Sequence, residues 1–160
     1  MTDVREPPIV AGVLGGVGTT LLATALHGWD AGIYRAHRPV HVLVCRSTSN
    51  SLHSAQRALQ YTPATAPPPV LAVVDDVPNA AWGPNTQNKV HITEPYVSSV
   101  VRIPLVLDWR DVESPHDRAA TVLTEAEQDL PKGVRTFAKA LRELVGEVIR
   151  QNSGHRSRTA

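Results

Sequence analysis

One cysteine, one phenylalanine and one methionine stand among the 160 residues, and aromatic side chains make up 4% of the chain. With so few rings, the core has to be built from aliphatic side chains. The lone Cys45 excludes an internal disulfide and fits a reducing compartment, so a cytoplasmic location is expected. A formal net charge of +1 argues against a strongly electrostatic partner such as bulk nucleic acid. No apolar run approaches the ~20 residues that span a bilayer, and residues 1–8 lack the apolar centre of a signal peptide, so no membrane partner is expected. His27, His37, His41, His53, His91, His116 and His155 are scattered without metal-ligand spacing, which leaves no metal site to assign. What is plentiful is proline, with 13 residues that imply many ordered loops. Hydrophobic residues at 42% and charged residues at 19% are ordinary for a globular protein, and the length suits one domain.

Aliphatic runs alternate with helical stripes along the chain. Strands are expected at residues 9–13, 40–45, 70–74 and 100–105, each a short β-branched run bounded by turn residues. Between them, Leu22, Ala25, Leu26 and Trp29 repeat at helical spacing and predict a helix from Thr20 to about Trp29. Leu52, Ala55, Ala58 and Leu59 predict a second over residues 51–61. A short helix is expected near residues 85–93 and an irregular loop over 108–127. Pro131 then opens a last helix whose stripe is Val134, Phe137, Leu141, Leu144 and Val148, ending near Arg150. Alternating strands and helices imply an α/β, doubly wound, mainly parallel sheet of about four to five strands. The domain is expected over residues 8–150, with a flexible N-terminus at 1–7 and a disordered polar, basic tail at 151–160. Arg150, His155, Arg156 and Arg158 make that tail basic but carry no interleaved aromatic, so nucleic-acid contact through it should be weak at most.

The stretch from Ile9 to Leu22, Ile-Val-Ala-Gly-Val-Leu-Gly-Gly-Val-Gly-Thr-Thr-Leu-Leu, carries the clearest chemistry. It reads as a buried strand, a glycine-rich loop and the first turn of a helix. Backbone amides of Gly15, Gly16, Val17, Gly18, Thr19 and Thr20 are placed to curl around an anion at a helix start. A plain strand-to-helix turn would need the same glycines only for tight packing.

The loop resembles the deviant P-loop of the MinD/ParA group of ATPases, in which two glycines, a small residue and a third glycine precede Lys-Thr-Thr. The resemblance implies a P-loop NTPase-like fold, and it implies phosphate and magnesium contacts at Thr20. Two departures cut into that function. Thr19 stands where the phosphate-binding lysine belongs, and Leu14 stands where the signature lysine that reaches a partner subunit's nucleotide belongs. A charge-assisted hydrogen bond is worth ~1.5–3 kcal/mol, so the loss at Thr19 should weaken triphosphate binding roughly ten- to a hundredfold. The likeness continues through residues 40–61, 70–79 and Ile103-Pro104. The two strands that carry the water-orienting and magnesium-holding aspartates in that group are expected to be missing. Among shortened forms, the chain is similar to small actinobacterial proteins that pair a lysine-less glycine loop with Pro-x-x-x-x-Trp-Arg, here Pro104 to Arg110.

Ligands of such sheets bind beyond the carboxyl ends of the strands. That edge collects residues 14–20, 46–50, 75–79 and 106–110. Asp75 and Asp76 there are candidates to hold magnesium or a base, against a bland alternative as a solvated turn. Cys45 beside Arg46 is a candidate nucleophile against a buried strand thiol. Trp109 and Arg110 are candidates for a cation–π pair over the edge. The expected function is that of a pseudo-ATPase: weak binding of ATP, ADP or another phosphate-bearing ligand, no efficient hydrolysis, and magnesium left open. The family likeness suggests an accessory role in a plasmid, mobile-element or partition-type process with a protein partner. The alternative is a non-enzymatic interaction module that keeps the fold without a ligand.

Overall fold

The aliphatic runs become the strands of one sheet: β1 (Ile9–Gly12), β3 (Val42–Arg46), β4 (Val70–Val74) and β5 (Ser99–Ile103), together with β2 (Trp29–Ile33). A computed structural model describes residues 6–159; the N-terminal expectation therefore falls mostly on residues outside those described. The sheet order is β2-β1-β3-β4-β5, and every neighbouring pair is parallel. All five residues of β4 are buried, as are the first four of β3, because central parallel strands are covered on both faces.

Among the described residues five α-helices flank the sheet: α1 (Thr19–Ala25), α2 (Ser49–Leu59), α3 (Pro84–Thr93), α4 (Pro115–Thr121) and α5 (Lys132–Thr159). The chain builds outward from β1 in both directions, so right-handed crossovers place α1 and the α2–α3 pair on opposite faces. α1 packs against β1, β2 and α4, α2 packs against β3 and α3, and α5 covers β4 and β5. Phe137 of α5 meets Trp109 edge-on, with ring centroids 5.0 Å apart.

Three expectations are corrected. The first helix stops at Ala25, and Trp29 lies in a strand. His27 adopts φ 52°, and Gly28 lies so close to Pro8 that an added Cβ would come within 2.5 Å of the Pro8 carbonyl. That close approach turns the chain, and the Trp29 amide then donates to the same carbonyl at 2.8 Å. Residues 108–127 are not simply loop, since they hold a 3-10 turn at Leu107–Asp111 and all of α4. The last helix does not end near Arg150. Gln151 is buried, and its Nε2 donates to the Pro68 carbonyl at 2.6 Å, so residues 151–159 continue α5.

One contact ties β1 to the start of β3 and gives stability a pH dependence. The Ile9 amide donates to His41 Nδ1 at 2.9 Å, which requires an unprotonated Nδ1. Burial holds the His41 pKa below 6.5, and the Glu6 carboxylate offsets only part of that shift. A depressed folded-state pKa means that the unfolded chain takes up the proton first on acidification. The contribution of His41 is therefore fully present above pH 6.5 and is lost progressively below it. An NMR titration should place His41 below 6.5; a value at or above it would remove this contribution.

Candidate functional site

The reversal of strand order lies between β1 and β3, and a crevice opens there beyond the strand ends. The loop after β1 forms one wall. Gly16 and Gly18 adopt φ 75° and 100°, a region that side chains disfavour. Gly18 is also the N-cap of α1 and offers no side-chain cap, so amides of the first turn stay available.

The two threonines point away from the role that a P-loop would give them. Gly12 has no room for a Cβ because Thr19 Oγ1 and the Val17 methyl Cγ2 occupy that space. Thr19 therefore tucks its hydroxyl beneath the loop against β1. Thr20 Oγ1 donates to Asp30 Oδ2 at 2.7 Å, while Asp30 Oδ1 accepts from the Gly32 amide at 2.9 Å. Asp30 was not singled out from the sequence. The missing-strand expectation is thus half overturned, because a strand carrying an aspartate does follow the loop helix.

A cavity of about 540 Å³ adjoins the first half of the loop. Gly15, Gly16, Val17 and Asp76, all expected at the site, line it, whereas Gly18, Thr19, Thr20 and Asp75 do not. Arg46 crosses the cavity wall. Its Nη1 donates to the Asp75 carbonyl and its Nη2 to the Gly16 carbonyl, each at 3.2 Å, which joins the loop to the end of β4. The turn after β3 is held by its own side chains. Thr48 Oγ1 caps the Ser51 amide at 3.2 Å, and Ser51 Oγ accepts from the Arg46 amide at 2.8 Å. Ser47 Oγ accepts from the Asp76 amide at 2.8 Å and so ties this turn to the end of β4. Arg110, on the turn that follows β5, also lines the cavity.

Asp75 has a structural task. Its carboxylate accepts from Arg102 Nε at 2.9 and 3.1 Å and from Trp82 Nε1 at 2.9 Å. The Arg102 guanidinium also lies over the Trp82 ring, 4.7 Å from its centroid. The expected Trp109–Arg110 pair is not formed. Trp109 is buried against Phe137, and Arg110 stays exposed. Cys45 is buried, and desolvation pushes its thiol up to about 12, so it carries no thiolate at neutral pH. Among the described residues no group of three or more His, Cys, Asp or Glu side chains is placed to hold a metal ion. No helix is long and apolar enough to cross a membrane among those residues.

The arrangement offers backbone amides, two guanidinium groups and one carboxylate around a crevice with both polar and aliphatic walls. Such a set can bind an anion. No family model, curated protein or solved structure matches the chain.

Proposed function

We propose that the protein is a degenerate P-loop protein that binds a phosphate-bearing ligand weakly at the glycine loop and does not hydrolyse it efficiently. The observation that carries this reading is that Gly15, Gly16 and Val17 of the loop line a cavity together with Arg46 and Arg110. Nucleotides belong among the candidate ligands through the MinD/ParA resemblance of the loop. Phosphoryl transfer is mostly positioning plus charge stabilisation, and a lysine is lacking at Thr19. Thr20 spends its hydroxyl on Asp30 and lies outside the cavity lining, so the reading does not depend on magnesium.

Calorimetric titration with ADP and ATP tests the reading. Wild type should show weak heats, and Thr19→Lys should bind roughly ten- to a hundredfold more tightly, because an ammonium would come within reach of a β-phosphate. Flat heats in both proteins would discard nucleotide binding. Phosphate release at a per-second rate that Gly18→Val abolishes would discard the pseudo-enzyme.

The second reading, an interaction module, is favoured by a different observation. Every residue of edge strand β2 is exposed, and Trp29 and Ile33 among them are large and apolar. Unpaired edge strands are templates for another chain.

A further inference from the structure

We infer that the cavity takes a phosphomonoester with a small non-aromatic body, and that Arg46 and Arg110 are the groups that read its phosphoryl end. This inference rests on the phosphate-binding reading above and narrows its ligand. Half-buried Arg46 spends its hydrogen bonds on the carbonyls of Asp75 and Gly16 and forms no ion pair among the described residues. Arg110 has no hydrogen-bond or ion-pair partner among those residues. A charge partly withdrawn from water is ordinarily paired, and half-buried Arg46 has no carboxylate partner among the described residues. Exposed Arg110 faces the same crevice, so the two guanidinium groups are set to receive an anion. A planar guanidinium fork also suits the oxygens of a phosphoryl group better than a single ammonium does.

The size of that anion follows from the charge on the wall. Two arginines against the single carboxylate of Asp76 leave one net positive charge, to which the loop amides add partial charge. A phosphomonoester carries about −1.5 to −2 at neutral pH, which this wall offsets in large part. A triphosphate carries more charge, and the lysine that would meet its β-phosphate is absent. The remaining lining sets the polar side chains of Thr48, Asn50 and Ser51 beside aliphatic ones such as Leu14, Leu105 and Val106. Among the described residues no aromatic side chain lines the cavity, so a nucleobase finds no ring there to stack on.

Titration of the full chain with glycerol phosphate, AMP and ATP, read by calorimetry, tests this. Glycerol phosphate should bind at least as tightly as AMP and more tightly than ATP. Arg110→Gln should weaken glycerol phosphate roughly tenfold, and Arg46→Gln at least as much. Arg110 is exposed and partnerless, so its variant stays interpretable even if Arg46→Gln unfolds the loop. Gly16→Val separates the two layers of the proposal. If it abolishes binding while Arg110→Gln changes nothing, the loop holds the phosphate and the arginine assignment falls. If the arginine variant abolishes binding and Gly16→Val does not, the arginines stand and the loop reading falls. Tighter binding of ATP than of glycerol phosphate would overturn the phosphomonoester class, and no binding by any of the three would overturn both.

Discussion

Phe137→Ala is expected to destabilise the protein by about 3–5 kcal/mol, the usual cost of truncating a buried phenylalanine. Phe137 is the only phenylalanine in the chain and is 1% exposed. It stands on the apolar face of α5, and its ring meets Trp109 edge-on at an interplanar angle of 71°. Two costs add. The transfer energy of the ring is lost, and the void is bounded by a sheet on one side and a helix on the other, neither of which can close on it. Aromatic pairing contributes about 0.5–1.5 kcal/mol beyond the buried area, which places the loss toward the upper half of that range. The effect should reach the cavity as well. Trp109 sits in the turn Leu107–Asp111, which also carries Arg110, so loosening the ring contact loosens the placement of that guanidinium. Urea denaturation reads the stability. A loss below about 1.5 kcal/mol, a scale typical of volume-conserving core changes, would mean that Trp109 repacks onto α5 and that the turn is not anchored through Phe137.

Periodicity and chain chemistry located most of the frame. Val70–Val74 falls on the expected boundaries, and the strands around it differ by one or two residues. Such runs are legible because central parallel strands need apolar side chains on both faces, which leaves a continuous aliphatic block. β2 was illegible for the opposite reason. Its residues face solvent on both sides, Asp30 and Gly32 interrupt it, and Trp29 completes a helical stripe with Leu22, Ala25 and Leu26. What stops that helix is the approach of Gly28 to Pro8, a contact 20 residues apart that no local propensity encodes. α5 outran its expected end on similar grounds, since Gln151 is held by a carbonyl 83 residues away. At the site, the glycine loop and the cluster of strand ends could be read from spacing. The directions of the side chains could not. Asp75 turns to Arg102, 27 residues on, and Thr20 turns to Asp30 in a strand that was not anticipated.

Gly12→Val is expected to cost about 2–3 kcal/mol, although valine is much the better strand former. Gly12 ends β1 and pairs with Ile33 of β2 on one side and Val44 of β3 on the other. Propensity alone would favour the substitution by at most ~1 kcal/mol. Sterics oppose it and win. A Cβ at this position meets Thr19 Oγ1, lies 2.8 Å from Val17 Cγ2 and lies 3.2 Å from the Leu14 carbonyl. Thr19 is too short to swing clear, and Val17 is 3% exposed with packed neighbours, so the loop itself must move. Moving it shifts Gly15, Gly16 and Val17 away from the cavity, and binding of glycerol phosphate should weaken with them. The partner in the clash identifies the cause. Combining Gly12→Val with Thr19→Ala removes the Oγ1 overlap and should recover about 1 kcal/mol, within the 0.5–3 kcal/mol range of coupling between residues in contact. Strict additivity of the two substitutions would show that Thr19 does not fill the space beneath the loop. That result would leave the threonine at the lysine position without a structural reason.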